Sequence, residues 1–187
     1  MITHTVGAVL AGGSASRMGT SKADLEYLGV RFVDHAIATL SLVFEEVVVC
    51  GGSYIGPLAY LKDPVGGAGP LDGILAALEH SNNRPVMVVP VDMPLISIEL
   101  VTRLAEPVID ELAIRVASDG TSIQPLVGVY GSGLAPLITD RLSKGRRSVM
   151  DLVAAVDNVE RINADTQTLT NINTPEDYEA LTGGGAL

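Results

Sequence analysis

Apolar residues along the chain form short continuous runs that alternate with stretches where they recur every three or four positions. The runs Val6–Leu10, Val47–Cys50 and Val86–Val91 predict buried strands, the last being the most continuously apolar and so the best candidate for the centre of a parallel sheet covered on both faces. Phe32–Val43, with Val33, Ala36, Ile37 and Leu40 on one face, predicts an amphipathic helix. Leu71, Ile74, Leu75 and Leu78 mark a second helix, and Leu100, Val101 and Leu104 a third, with Ser97 placed to cap it. Leu112–Ala117 and Gln124–Tyr130 read as two strands joined through Asp119-Gly120, a favoured hairpin dipeptide. Helices follow over Leu134–Leu142 and Val149–Ala155, while Asp24–Gly29 reads as a short link. Near the end Thr174 suits an N-cap, Pro175 the first helical position, and Glu176 and Asp177 the positive end of the helix dipole. Strands alternating with helices imply an α/β chain: a three-layer α/β/α, Rossmann-like arrangement with a mostly parallel central sheet and one late antiparallel hairpin. No repeat or linker divides it, so residues 1–181 are expected to form one domain, with 182–187 as a disordered tail.

Composition narrows the picture. The chain has 187 residues, 47% of them hydrophobic, enough for one substantial core. Its apolar runs are too short to span a bilayer, and Met1-Ile-Thr-His-Thr lacks the basic start of a signal peptide, so a cytoplasmic location is expected. Twelve basic against twenty-two acidic residues give a formal charge of −10, which argues against nucleic acid or an anionic membrane as partner. An anionic substrate would therefore need a local cluster of cations, a metal, or both. The one cysteine, Cys50, excludes an internal disulfide and reads as a small buried hydrophobe at a strand end. His35, between apolar positions of its helix, reads as structural.

Candidate chemistry begins where the first strand stops. Residues 7–22 carry Gly12 and Gly13, which let the backbone turn and approach a ligand, followed by Ser14, Ser16, Arg17, Thr20, Ser21 and Lys22 as hydroxyl and cationic donors. These are the groups a polyphosphate requires, although the span is neither a Walker A loop nor a dinucleotide fingerprint. A second glycine- and proline-rich loop, residues 63–73, leads into the second helix. Asp92 lies at the carboxyl end of the central strand, where open α/β sheets bind ligands, and Pro94 keeps that strand from continuing. With Ser97 as the helix cap, Asp92 is left free for another task, and one well-placed Asp is enough to propose a magnesium site shared with substrate phosphates. Arg17 and Lys22 would then neutralise charge growing on a departing pyrophosphate, and positioning with charge stabilisation would supply most of the rate. Arg146 and Arg147, the adjacent basic pair, read equally as exposed charges or as a docking point for an acceptor phosphate.

The span from Leu10 to Lys22 resembles the signature loop of nucleotidyltransferases that join an NTP to a phosphorylated acceptor. Gly69-Pro-Leu-Asp-Gly73, Asp92-Met-Pro94, the Pro-Leu-x-Gly-Val-Tyr130 strand and Asn171-Ile-Asn-Thr-Pro-Glu176, in this order, resemble the molybdenum cofactor guanylyltransferases. The resemblance implies GTP and molybdopterin as substrates, magnesium as cofactor, and a molybdoenzyme or cofactor-biosynthesis protein as partner. It implies nucleotide binding by Leu10, Ala11, Gly12, Gly13, Lys22, Asp63 and Asp92, with Arg17, Lys22 and Asp92 catalytic. It places Asn171 and Asn173, with Arg146 and Arg147, on the acceptor side. One departure stands out: where the family often has Asn after the second strand, this chain has Cys50 before Gly51-Gly52, and a thiol replaces an amide poorly in hydrogen bonding. The nearest alternative is a CTP-dependent cytidylyltransferase of the same superfamily; from a different class, the chain would be a non-catalytic nucleotide-binding partner.

Overall fold

The structure, a computed structural model, describes residues 1–12, 21–52, 54–62, 69–107 and 110–183. Three buried runs form the heart of the sheet: β1 (Val6–Leu10) lies parallel to a neighbour on each side, the later strands Val47–Cys50 and Val86–Pro90. In chain order the remaining elements are a short hairpin, β2 (Glu26–Tyr27) and β3 (Val30–Arg31), then α1 (Phe32–Ser41), β4 (Val47–Cys50), β5 (Ala59–Leu61), α2 (Pro70–His80), β6 (Val86–Pro90), α3 (Ile98–Leu104), β7 (Ile114–Ser118), β8 (Ile123–Tyr130), α4 (Ala135–Ser143), α5 (Val149–Ala154), β9 (Val159–Asn163) and α6 (Pro175–Gly183). The main sheet runs β5-β4-β1-β6-β8-β7-β9, and β8 alone is antiparallel to its neighbours.

Successive strand side chains point to opposite faces, and β1 divides its residues accordingly. Val6, Ala8 and Leu10 pack with α2, α4 and α5 on one face, whereas Val9 packs with α1 and α3 on the other. The sheet is thus buried on both sides, which is why its central strands are continuously apolar. This is the expected three-layer arrangement with its late antiparallel strand.

Some elements differ from the sequence reading. Asp24–Gly29 is not a plain link: it contains β2, and Leu28 (φ 53°) with Gly29 (φ 76°) forms the positive-φ turn that suits a two-residue hairpin. Strands β5 and β9 were not predicted, being short edge strands whose residues are partly or fully exposed and so carry no buried run. The last helix reaches Gly183, so Thr182 and Gly183 belong to it rather than to the predicted tail.

The hairpin of β7 and β8 shapes one wall of the later cleft. Val116 faces Gly128, but the next residue, Ala117, faces Gln124, so Pro125, Leu126 and Val127 are extra on β8. Pro125 has no N–H to offer a ladder and sits well in such a bulge. Its carbonyl accepts a 2.5 Å hydrogen bond from the hydroxyl of Tyr130, a fully buried phenol whose burial pushes its pKa upward. Tyr130→Phe is expected to cost about 1 kcal/mol, a fall in Tm of roughly 2–4 °C for a chain of this size, because the Pro125 carbonyl loses its donor. A thermal melt tests it, and an unchanged Tm would mean that the bulge does not depend on this bond.

Candidate functional site

A cleft opens at the carboxyl ends of β1 and β6, lined by Leu10, Ala11, Gly12, Lys22, Pro70, Pro90, Val91, Asp92 and Leu126. Its apolar walls come from strand ends, from the first residue of α2 and from the β8 bulge, and its two charged groups are Lys22 and Asp92. A concave, largely apolar site with few polar groups is the usual form of a small-molecule site.

Backbone bonds hold the cleft's floor in place. Ala11 N–H donates to the Cys50 carbonyl at 2.9 Å, and Val91 N–H donates to the Leu10 carbonyl at 3.2 Å, so the three chains stay side by side past the ends of their strands. Asp92 then emerges just beyond the sheet edge. Ser97, as expected, accepts the Leu100 N–H at 3.2 Å and caps α3, leaving the Asp92 carboxylate for other work.

That carboxylate meets Lys22. The ammonium lies 2.8 Å from Asp92 Oδ2 and donates at 2.5 Å to Asn173 Oδ1. Lys22 opens the 3₁₀ turn Lys22–Asp24, and its side chain is 24% exposed against 19% for Asp92, so the pair borders the cleft rather than the core. The chain reaches Asn173 after β9 by passing along the same sheet edge, where Ile172 N–H donates to the Asp92 carbonyl at 2.8 Å.

A capping box fixes Asn173. Asp177 Oδ2 accepts the N–H groups of Asn173 and Thr174, each at 2.9 Å, while Thr174 Oγ1 accepts the Asp177 N–H at 3.1 Å. Tyr178 ties the same helix down, its hydroxyl donating to the Glu26 carbonyl at 2.8 Å and its ring tilted against Phe32 at 6.1 Å between centroids. The hairpin absent from the sequence reading is therefore what anchors α6.

The Asn173 N–H first, then the Thr174 N–H, with the charge of Lys22 adding, holds the Asp177 carboxyl below its ordinary 3.8. A carboxyl depressed in the folded protein stabilises it above that value, and this contribution is lost as pH falls through the lowered folded value. Asp177→Asn keeps an acceptor oxygen but does not titrate. Its Tm should therefore fall less steeply than that of the parent between about pH 5 and about pH 2, and identical acid slopes would contradict the assignment.

Of the predicted site residues, Leu10, Ala11, Gly12, Lys22 and Asp92 line the cleft, and Asn173 joins through Lys22. Asn171 is half-buried, and its Oδ1 is buried with no hydrogen-bond partner among the described residues. Gly13, Arg17 and Asp63 lie outside the described residues, as do Ser14, Ser16 and Thr20. Arg146 and Arg147 are exposed, on the loop after α4. There Gly145 (φ 72°) and Arg146 close a Schellman motif, with N–H bonds to Leu142 O at 3.0 Å and Arg141 O at 2.9 Å. Neither arginine makes an ion pair with a described residue.

Cys50 is buried, and its side chain packs in the core shared with α2, where it reads as the expected small hydrophobe; its contribution to the cleft is the carbonyl that holds Ala11. His35 is structural as expected, with Nε2 2.8 Å from the Tyr27 carbonyl. Sequence reasoning missed Leu126 as a wall residue, since only the bulge turns it toward the cleft. Among the described residues no three His, Cys, Asp or Glu side chains gather as a metal cage, and no helix is long and apolar enough to cross a membrane.

Residues 7–160 match the family described as the MobA-like NTP transferase domain. The chain is 32% identical over 186 residues to the "probable molybdenum cofactor guanylyltransferase" of Carboxydothermus hydrogenoformans, covering 93% of each chain. It is 32% identical over 187 residues to the molybdenum cofactor guanylyltransferase of Photobacterium profundum, covering 91% of this chain and 92% of that one. In fold it is similar to molybdopterin-guanine dinucleotide biosynthesis protein A from Archaeoglobus fulgidus, with a TM-score of 0.76 at 20% identity over 95% of this chain and 97% of that one.

Proposed function

Since the chain belongs to the MobA-like NTP transferase family, and its cleft pairs a cation with a carboxylate, we propose that it transfers GMP from GTP to the phosphate of molybdopterin, with or without bound molybdenum, and releases pyrophosphate. The observation that supports this most is the meeting of Lys22, Asp92 and Asn173 at the carboxyl edge of a doubly covered sheet, beside an apolar cleft.

In this reaction an acceptor phosphate oxygen forms a bond to the α-phosphorus of GTP, and the bond from that phosphorus to the α–β bridging oxygen breaks. The acceptor is already an anion, so no strong general base is required of the protein. Its tasks are to hold two polyanions in line and to neutralise the charge leaving with pyrophosphate. Lys22 supplies a compact cation at the end of a flexible stem, suited to phosphate. The apolar walls Leu10, Pro70, Val91 and Leu126 exclude water around the reacting groups. Arg17 and Asp63, by resemblance, would add to nucleotide binding, and Asn171, Arg146 and Arg147 would face the acceptor.

Magnesium fits the residues present. Asp92 offers a carboxylate and Asn173 an amide oxygen, both hard donors. A bound magnesium ion would supply charge neutralisation of the phosphates, with Asp92 as its protein ligand.

The test is to incubate the purified protein with magnesium and molybdopterin, with GTP or CTP in parallel, and to follow pyrophosphate and dinucleotide product. GTP-selective product supports the reading and shows that Cys50 is compatible with guanine selectivity. CTP-selective product would move the chain to a cytidylyltransferase, and nucleotide binding without turnover would point to another acceptor or to a non-catalytic partner.

A further inference from the structure

Two oxygens in the cleft converge on a single cation that belongs to the protein. The Lys22 ammonium lies 2.8 Å from Asp92 Oδ2 and 2.5 Å from Asn173 Oδ1. A carboxylate and an amide oxygen are also what a hard divalent ion takes, so this pair serves an ammonium or a metal alike. It does not serve both together. A divalent ion about 2 Å from an oxygen that also accepts the ammonium would bring like charges to roughly 4 Å, and even at an effective dielectric near about 20 this repulsion far exceeds thermal energy.

The oxygens are the fixed part of the arrangement. Ile172 N–H binds the Asp92 carbonyl, and the Asp177 carboxylate grips the Asn173 and Thr174 N–H groups, so the backbone carrying each oxygen is tied down. The lysine is the movable part, a point charge on a four-carbon stem with rotatable donors. It also lies two residues past the hydroxyl- and arginine-bearing stretch 13–20, on the side of the cleft where phosphates are expected.

We infer that Lys22 is an exchangeable counter-ion: in the nucleotide-free protein its ammonium occupies the Asp92–Asn173 oxygen pair, and a divalent cation takes that pair only by displacing Lys22, which the nucleotide's phosphates then receive. The inference rests on the reading of Asp92 as a divalent-cation ligand and adds an order to it. Triphosphate then favours metal entry, because the phosphates hold the lysine away from the oxygens the metal needs. Before nucleotide arrives, Lys22 keeps the metal site neutralised.

The experiment uses the full chain and no nucleotide or acceptor. Free Mn²⁺ is followed by EPR during titration of the parent and of Lys22→Met, which keeps the apolar stem and removes the charge. Lys22→Met is expected to bind Mn²⁺ at least about tenfold more tightly than the parent, and Asp92→Asn to abolish that binding. The gain should persist at about 0.5 M KCl, where the screening length is only about 4 Å and a merely long-range effect of the lost charge fades. Equal or weaker binding by Lys22→Met, or a gain that vanishes in salt, overturns the exchange. Should that variant fail to fold, the parent alone decides: the side-chain NH₃⁺ signal of Lys22 in ¹⁵N-detected spectra should shift on saturation with Mg²⁺, and a signal unmoved at saturation excludes exchange. Because neither readout requires turnover, loss of the exchange with GTP-dependent product intact rejects the counter-ion role alone. Exchange without product under any nucleotide rejects the molybdopterin-transfer reading instead.

Discussion

Asp92→Asn is expected to lower transfer of GMP by at least about a hundredfold, the scale seen when one preorganised electrostatic group is removed from a transition state. The substitution keeps shape and an acceptor oxygen, so Lys22 retains a hydrogen-bond partner while the negative charge is lost. The fold should survive it. The tie between Asp92 and the C-terminal segment is made by the main-chain carbonyl to Ile172 N–H, which the substitution does not touch. The carboxylate is also partly solvated, so its pair with Lys22 contributes little to stability. The expected outcome is thus a parental circular dichroism spectrum, a Tm within a few degrees of the parent, and a GTP-dependent product rate at or near background. An Asp92→Asn variant that transfers at the parental rate removes Asp92 from the chemistry, and one that unfolds would show the residue to be structural after all.

Gly128→Val carries the largest expected cost to stability, about 3 kcal/mol or more, roughly a hundredfold in the ratio of folded to unfolded chain. Gly128 faces Val116 across the β7–β8 ladder, at the step where the bulge begins. A Cβ at this position would collide with the Arg115 carbonyl and lie 2.9 Å from Val116 Cγ1. The first of these is backbone inside a paired strand and cannot swing aside as a surface side chain would. Relief requires β7 and β8 to separate, which loosens the turn of chain that carries Pro125 and Leu126 into the cleft wall. A drop in Tm of about 6–12 °C follows from that cost for a chain of this length, read by calorimetry or by denaturant unfolding. A parental Tm would mean that the strands part here at no expense, and the close approach would lose its significance.

Much of the architecture was legible because it is local. Buried strands announce themselves as apolar runs, helices by their period, and caps by side-chain chemistry. Val6–Leu10, Val47–Cys50 and Val86–Pro90 accordingly appear where expected, and so do the caps at Ser97 and Thr174. Strands β5 and β9 escaped notice because a short strand at a sheet edge needs neither a full apolar face nor a strict alternation; its hydrogen bonds are decided by the neighbour it meets. The hairpin at 26–31 escaped for a similar reason, since Leu28 is an unusual residue for a positive-φ turn.

The site divides along the same line. The sequence by itself determined which residue types stand at the ends of β1 and β6, and therefore that Leu10, Ala11, Gly12 and Asp92 would share one edge of the sheet. Only the tertiary structure decided that Lys22 would meet Asp92, 70 positions away, and Asn173, 151 positions away, because no local pattern records which distant segment passes along a sheet edge. It also decided that a bulge would turn Leu126 into the cleft and that the Cys50 carbonyl would hold Ala11 at its floor. Neighbouring residues set backbone conformation through sterics and hydrogen bonding within a few positions. The approach of distant charges depends on how whole layers pack, and that is a property of the assembled core.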